Sequence, residues 1–295
     1  MFKNIAELVS QAETSGKKIY EIMIEQEMEV TGRKKEELLY TMGNNYKAMK
    51  NAAYRGIQGV HSTSGLTGGD GKKLQDYLEK GTFLTDTTFL KALTFAVATN
   101  EVNASMGVIC ATPTAGSCGV LPAVLLAVQE KLGLPDETVI YHLFTAGAIG
   151  YVVANNACIS GAAGGCQAEV GTASAMAAAA VTEMAGGTPD QAAHAMAIAL
   201  KNMLGLTCDP VAGLVEVPCI KRNAAGASNA LTAAEMALAG VKSRIPWDEV
   251  IGAMYQIGQV IPVSLKETAL GGLAATPEGL KWKKTLGQIK QQNST

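Results

Sequence analysis

The chain has 295 residues, 48% hydrophobic, 17% charged and only 5% aromatic, with a formal net charge of −2. That much apolar material can fill a substantial core, and the near-neutral balance leaves no basic field for nucleic acid and no acidic tail. With so few aromatics, alanine, glycine, valine, leucine and methionine must fill the core. Such small residues suit close-packed helices buried all round.

The opening MFKNIAELVSQAETSGKK lacks an apolar signal region and a small-residue cleavage site. It reads as a helix of the mature chain, so a cytoplasmic protein with reduced cysteines is expected. Residues 1–50 form a helical N-terminal segment: IAELVSQAE, KKIYEIMIEQEMEV and RKKEELLYTMGNNYKAMKNAAYRG carry apolar residues at three- and four-residue spacing. A long polar, glycine-rich loop, GIQGVHSTSGLTGGDGKKL, follows. TDTTFLKALTFAVATNEVNASMG opens with capping residues and then runs apolar. Loop and helix then alternate: CATPTAGSCG before VLPAVLLAVQEKLG, and NNACISGAAGG before CQAEVGTASAMAAAAVTEMAGG, whose double glycine is a stop. TPDQAAHAMAIALKNMLG places Thr188 at the N-cap, Pro189 at the first helical position and Gln191 at the third. TCDPVAGLVEVPCIKRN reads as a loop with at most one short strand, Leu214–Val217. AGASNALTAAEMALAG, WDEVIGAMYQIGQVI and TPEGLKWKKTLGQI are the closing helices. No linker divides the chain and no long-period repeat appears. The prediction is an all-α protein: one compact domain, 1–295, of buried Ala/Gly-rich helices joined by Gly-rich loops.

A membrane span is not expected. Between Leu143 and Gly187 the only charged residues are Glu169 and Glu183, but Asn155, Asn156, Ser160, Gln167 and several glycines interrupt the run.

The chain has six cysteines and no C-x-x-C, so thioredoxin-type redox chemistry and zinc ribbons lose their signature. Cys110 and Cys158 end apolar runs and read as small buried residues. Cys166, Cys208 and Cys219 lie in or beside Gly/Pro loops, where three thiolates could hold zinc or an iron–sulfur cluster. SGLTGGDGKK does not fit the phosphate-loop pattern, because Leu66 stands at the first glycine position and Lys73 follows Lys72. It reads instead as a substrate loop, with Ser64, Gly65, Thr67, Gly68, Gly69 and Asp70 as candidates and backbone N–H groups open to a carboxylate. Thr112, Thr114 and Ser117 in ATPTAGSCG could hold a small anion or merely cap a helix. His61, in the Gly-rich loop, is a candidate acid or base; His142 and His194 fall in apolar helical segments. Lys221 and Arg222 are either a solvated pair or carboxylate ligands.

SGLTGGDGKK, ATPTAGSCGVLPAVL, GAAGGCQAEVGTASAMAAAA, GLTCDPVAGLVEVPCIKRNAAGASNA and SLKETALGGLA occur in this order over about residues 50–275. Together they resemble the iron–sulfur-dependent L-serine dehydratases, and most closely the alpha chain of the two-chain bacterial type. The resemblance implies a [4Fe–4S] cluster held by Cys166, Cys208 and Cys219, with one iron left open as a Lewis acid for the serine hydroxyl. It implies L-serine as substrate, pyruvate and ammonia as products, a separate beta chain as partner, and pairing of alpha/beta units. Arg222 and Asn223 join the substrate-binding candidates. His61, Lys221, Glu169 and a beta-chain residue remain alternatives for the base. Single-chain relatives carry an additional N-terminal domain, and some end in a cysteine that can reach the open iron; this chain ends QQNST. A pyridoxal-phosphate dehydratase and a zinc-stabilised helical module are the competing readings. The first would need an α/β fold, which the strand-poor pattern opposes.

Overall fold

A computed structural model describes residues 1–292. The tail QQNST, read as carrying no reaching cysteine, ends in residues 293–295, outside the described residues. Thirteen α-helices appear in chain order: α1 (Ile5–Ser15), α2 (Ile19–Thr31), α3 (Lys35–Gly56), α4 (Asp70–Glu79), α5 (Thr87–Ala104), α6 (Val120–Leu132), α7 (Asp136–Asn156), α8 (Gly161–Gly164), α9 (Thr172–Met184), α10 (Pro189–Asn202), α11 (Cys219–Leu238), α12 (Trp247–Val260) and α13 (Pro277–Gln292). A π-turn, Gln167–Gly171, leads directly into α9. The described residues contain no strand, only two isolated bridges, His61 with Gly68 and Cys208 with Lys266. The all-α expectation is met.

The centre is α9, every residue of which is buried. It packs against α6, α7, α10 and α11, while α5 packs against α3, α4, α6 and α11. Helices meet this closely because their contact faces are alanine and glycine. A Cβ on Gly56 would lie 2.2 Å from the Ala98 carbonyl oxygen, and one on Gly119 2.3 Å from that of Ala96. Some polar groups inside this packing bridge helices, while buried Thr99 Oγ1 and Thr172 Oγ1 have no partner. Ser174 donates to the Gly226 carbonyl at 2.9 Å, and the Asn229 amide donates to Ser174 Oγ and to the Ala199 carbonyl, both at 2.8 Å.

Helix starts are finished partly by distant acids. Asn4 caps α1 locally, and Asp248 of α12 also accepts the N–H groups of Ile5 (2.8 Å) and Ala6 (3.0 Å). Glu183 of α9, itself buried, accepts the Ile19 N–H at 2.7 Å and the Thr145 hydroxyl at 2.6 Å. Glu101 of α5 accepts the Asp70 and Gly71 N–H groups at 2.8 and 3.0 Å. Each of these carboxylates meets donors that a helix start leaves open. The capping box at Thr188, with Pro189 and Gln191, forms as predicted.

Three boundaries differ from the sequence reading. The Gly-rich loop ends at Gly69, because Glu101 starts α4 at Asp70. No strand forms at Leu214–Val217: the segment closes on itself, with Glu216 N–H donating to Leu214 and Val211 N–H to Val217, both at 2.8 Å. The loop read through Asn223 instead ends at Pro218, and Cys219 is already the first residue of α11. Among the described residues, α7 alone is long and apolar enough to cross a membrane by length and composition, and 56% of its apolar window is buried inside the fold.

The close approaches set up a paired test. Gly56→Ala should destabilise the chain by roughly 1–3 kcal/mol through overpacking. Gly147→Ala, in α7 with nothing within 4 Å of the added methyl, should be neutral or stabilise by up to about 1 kcal/mol. Urea unfolding of both variants checks the pair; equal effects would remove the packing argument.

Candidate active site

The three loop cysteines converge. Cys166, Cys208 and Cys219 are all buried. Cys166 follows Gly165, whose φ of 79° suits glycine and whose added Cβ would stand 2.9 Å from the Leu206 carbonyl oxygen. Cys208 is fixed on both sides of its peptide: its N–H donates to Leu265 at 2.8 Å and its carbonyl accepts from Glu267 at 2.7 Å. Cys219 begins α11 directly after the Val217–Pro218 cis peptide. One fully buried amide ties the first two loops together. Gln167 donates to the carbonyls of Gly164 (2.9 Å) and Met254 (3.0 Å) and accepts from Gly205 N–H at 2.9 Å. Its own N–H reaches Leu206 at 3.0 Å.

The thiols perturb one another. A hydrogen bond with Cys208 pulls the Cys166 thiol below its usual range despite burial, and Arg222 adds to this. That shared proton is correspondingly retained on Cys208, whose thiol is pushed up. Burial, followed by the charge of Cys166, pushes Cys219 up as well. Arg222 stands 2.8 Å from Asp209 and donates to the Thr207 carbonyl at 2.7 Å, so its guanidinium braces the Cys208 loop. Asp209 in turn accepts Leu273 N–H at 2.7 Å.

Glu169 faces the same point from the π-turn. Thr114 donates to it, and burial raises its carboxyl above the usual range, with the charge of Glu267 adding to the rise. Gly161 leaves the room: a Cβ there would lie 2.9 Å from Cys208 Sγ, 3.0 Å from Glu169 Oε2 and 3.4 Å from Glu267 Oε2. Gly116 does the same on the other side, where a Cβ would lie 2.4 Å from Glu169 Oε1.

The other candidates occupy a second ring. Ser64 and Thr67 donate to the buried Glu216 at 2.9 and 2.6 Å, which fastens the Gly-rich loop to the segment between Cys208 and Cys219. The loop's N–H groups are largely engaged: Ser62 bonds Thr67, Gly65 bonds Ser62 and Gly69 bonds Val60. Gly68 and Gly69 have φ of 142° and 76° and lie against the ring of exposed His61, 2.6 Å from Nδ1 and 3.3 Å from Cε1 as measured from their added Cβ positions. Lys221 is exposed and ion-paired to Asp70 at 2.5 Å, with Lys73 on the other oxygen at 2.8 Å. Asn223 is fully committed to the protein: it donates to Gly116 (2.7 Å) and Cys219 (2.8 Å) and accepts Gly119 N–H at 2.9 Å. Ser117 donates to the Thr112 carbonyl at 3.2 Å, and buried Thr112 Oγ1 has no protein partner. Cys118 is core, its thiol pushed up to about 12 by burial. Thus the structure brings Cys166, Cys208, Cys219, Glu169, Thr114 and Arg222 together. Gly161, Gln167, Asp209, Glu216 and Glu267 were missed; GAAGG before Cys166 and the Asp-Pro after Cys208 were the local signals for two of them.

The serine dehydratase alpha-chain family model matches residues 14–274. The chain belongs to that family. It is 62% identical over 286 residues, 97% of this chain and 95% of the other, to the probable L-serine dehydratase alpha chain of Bacillus subtilis (strain 168). It is 42% identical over 282 residues to the L-serine dehydratase alpha chain of Peptoniphilus asaccharolyticus, covering 95% of this chain and 97% of that one. To an L-serine dehydratase of Haemophilus influenzae it is 37% identical over 285 residues, covering 92% of this chain but 61% of that protein.

Asp70 yields a pH-dependent expectation. Its hydrogen bond to Lys221, followed by that to Lys73, holds the carboxyl below its ordinary range. Such a group stabilises the fold above its unfolded pKa, about 3.9, and loses that contribution as pH falls through the lower folded value. Asp70→Asn should therefore cost less than about 1 kcal/mol at pH 7, given its surface position, and the difference should vanish in strong acid. Thermal melts of both proteins from pH 7 down to pH 2 test the sign.

Proposed function

We propose that this chain is the alpha chain of an L-serine dehydratase that converts L-serine to pyruvate and ammonia and works with a separate beta chain. The approach of three buried thiols from three separate segments, the last at the start of α11, beside Arg222 and Glu169, is the observation that supports it, together with the family membership. Among the described residues, no group of three or more His, Cys, Asp and Glu side chains is disposed around a single metal ion. An all-sulfur donor set in a glycine-lined hollow suits instead a cluster, which is larger than an ion and needs its ligands further apart. Cys166, Cys208 and Cys219 would hold a [4Fe–4S] cluster there. When bound, it supplies one iron not held by these three thiolates, a Lewis acid for a hydroxyl leaving group.

The chain's own residues do the rest. Gln167 holds the Cys166 and Cys208 loops in register, and Arg222 with Asp209 holds Cys208's neighbours. Glu169 is the carboxylate that faces the thiols, and its raised proton affinity suits it to accept the Cα proton of serine. Loss of that proton and of the hydroxyl gives aminoacrylate and water; tautomerisation and hydrolysis give pyruvate and ammonia. Lys221 is tied to Asp70 and serves position, not proton transfer. A cytoplasmic setting, which keeps thiols reduced, suits such a ligand set.

Cys166→Ala, Cys208→Ala and Cys219→Ala should each lose cluster iron and sulfide and abolish pyruvate formation. Cys110→Ala and Cys158→Ala should keep both. Anaerobic purification with the beta chain, visible spectra, iron and sulfide analysis and a pyruvate assay decide it. Zinc without sulfide in the unaltered protein, or full activity in a ligand variant, would overturn the reading.

A further inference from the structure

Glu216 stands three residues before Cys219 and is buried. Among the described residues it makes no ion pair. What it accepts instead are two hydroxyls, Ser64 Oγ at 2.9 Å and Thr67 Oγ1 at 2.6 Å, both on the same oxygen, Oε2. A carboxylate removed from water is tolerated only with hydrogen bonds in its place, and these two come from the Gly-rich loop. The same hydroxyls order that loop: Ser64 Oγ also accepts Leu66 N–H at 3.0 Å and meets Ser62 Oγ at 2.9 Å. On its other side Glu216 belongs to the frame of the thiols. Its carbonyl accepts Ile220 N–H at 3.0 Å, and its N–H donates to Leu214 at 2.8 Å. Val211 N–H on the Val217 carbonyl and Arg222 on Asp209 close the same segment. Lys221, beyond Cys219, grips Asp70 at the end of the loop. Cys219 therefore lies between two residues that both hold the Gly-rich loop. The start of α4 is anchored separately, by Glu101 on the Asp70 and Gly71 N–H groups, so the tie at Glu216 governs residues 62–67.

We propose that Glu216 is a positioning residue that makes residues 62–67 of the Gly-rich loop and the Cys219 side of the hollow move as one unit. The proposal rests on the dehydratase reading for what that unit does: there the loop meets the substrate and Cys219 helps to hold the cluster. Ser64 and Thr67, whose place in the sequence suggested substrate ligands, are on this account fasteners within the protein. A loop freed from Glu216 is in its binding shape only part of the time, and apparent substrate affinity falls by that fraction. Coupling between two places is reciprocal. Freeing the loop therefore also loosens the frame of Cys219 and speeds the loss of what that thiol holds. Glu216 touches no reacting atom, and no bond to it forms or breaks.

The test uses the assembled enzyme, alpha chain with beta chain and cluster, prepared anaerobically. Glu216→Ala removes the acceptor. Glu216→Gln keeps an oxygen that can accept both hydroxyls. Thr67→Val removes one donor at nearly constant volume and leaves the carboxylate in place. The first reading is hydrogen exchange by mass spectrometry over residues 57–69, with α9 as reference. In Glu216→Ala that segment should exchange roughly ten- to hundredfold faster, the factor expected for hydrogen bonds to a charged group. Thr67→Val should move it in the same direction by less, and should add little on top of Glu216→Ala because both break one tie. Glu216→Gln should recover most of the protection, with α9 unchanged throughout. Iron release to a chelator and KM for L-serine should rise in the same order, with kcat much less changed. If Glu216→Ala does not fold, Thr67→Val and Glu216→Gln carry the comparison. Unchanged loop exchange in Thr67→Val, a Glu216→Gln loop as loose as that of Glu216→Ala, or faster exchange of α9 along with the loop in Thr67→Val would each overturn the assignment. Faster loop exchange with unchanged iron release would overturn the coupling to Cys219. An unaltered assembled enzyme without iron, sulfide or pyruvate formation would instead sink the dehydratase reading, while the exchange comparison still judges Glu216.

Discussion

The fold depends on burying α9 on every side. A helix with no solvent face must be surrounded, and α6, α7, α10 and α11 surround it. The six alanines of Thr172–Met184 let those neighbours approach closely. Dispersion and apolar burial then come from many short contacts between small groups in place of a few large aromatic ones. The arrangement has a cost: polar side chains on such a helix have no water to turn to. Ser174 and Glu183 are both satisfied by partners on other helices, so these two polar groups of α9 act as fixed points between elements, whereas Thr182 bonds back to Ala178 within α9.

The site arises where α9 begins. Its first turn widens into the π-turn Gln167–Gly171, a type of bulge often found at functional sites. Cys166 precedes it, Gln167 faces inward to join two loops and α12, and Glu169 turns to the thiols. A rigid axis thus ends in an irregular turn from which Gln167 and Glu169 reach the site. The glycines around it answer to space as much as to flexibility: Gly161 and Gly116 would each push a methyl against Glu169. Rigid helices behind, and loops locked by hydrogen bonds in front, are the conditions for holding reacting groups in place.

Helical periodicity made most elements legible, since α1 to α3, α10 and α12 alternate apolar and polar residues at the expected spacing, while α6 is an apolar run that ends in Gln129, Glu130 and Lys131. Two helix starts were hidden because their causes are non-local. Asp70 begins α4 in a run of glycines only because Glu101, far along the chain, accepts its N–H and that of Gly71. α11 begins at Cys219 behind a proline, in a polar stretch that looks like a continuing loop. The apolar alternation in LVEV suggested a strand, but Glu216 points inward to Ser64 and Thr67. From spacing alone the three cysteines were only possible ligands; the resemblance singled them out, and the fold brings them together. Glu267 could not have been found locally, since its charge acts on Glu169 and its N–H holds the Cys208 carbonyl, both far along the chain. Asn223 looked like a polar group awaiting substrate and is instead a bracket within the protein.

The acids that finish helix starts from a distance have a further consequence for how the molecule opens. Suppose α1 and α2 peeled away while the remainder stayed folded. Ile5, Ala6 and Ile19 would lose their acceptors, but they would at least reach water. Glu183, buried in the closed fold, would keep the Thr145 hydroxyl but lose the Ile19 N–H, so the opening breaks a hydrogen bond on the central helix itself. The hairpin and the body thus share one cooperative transition, and the N-terminal region cannot act as a separate foldon that frays in advance of the rest. A protease that cuts between α1 and α2 would report the opening of the whole chain, including the loops that hold the thiols.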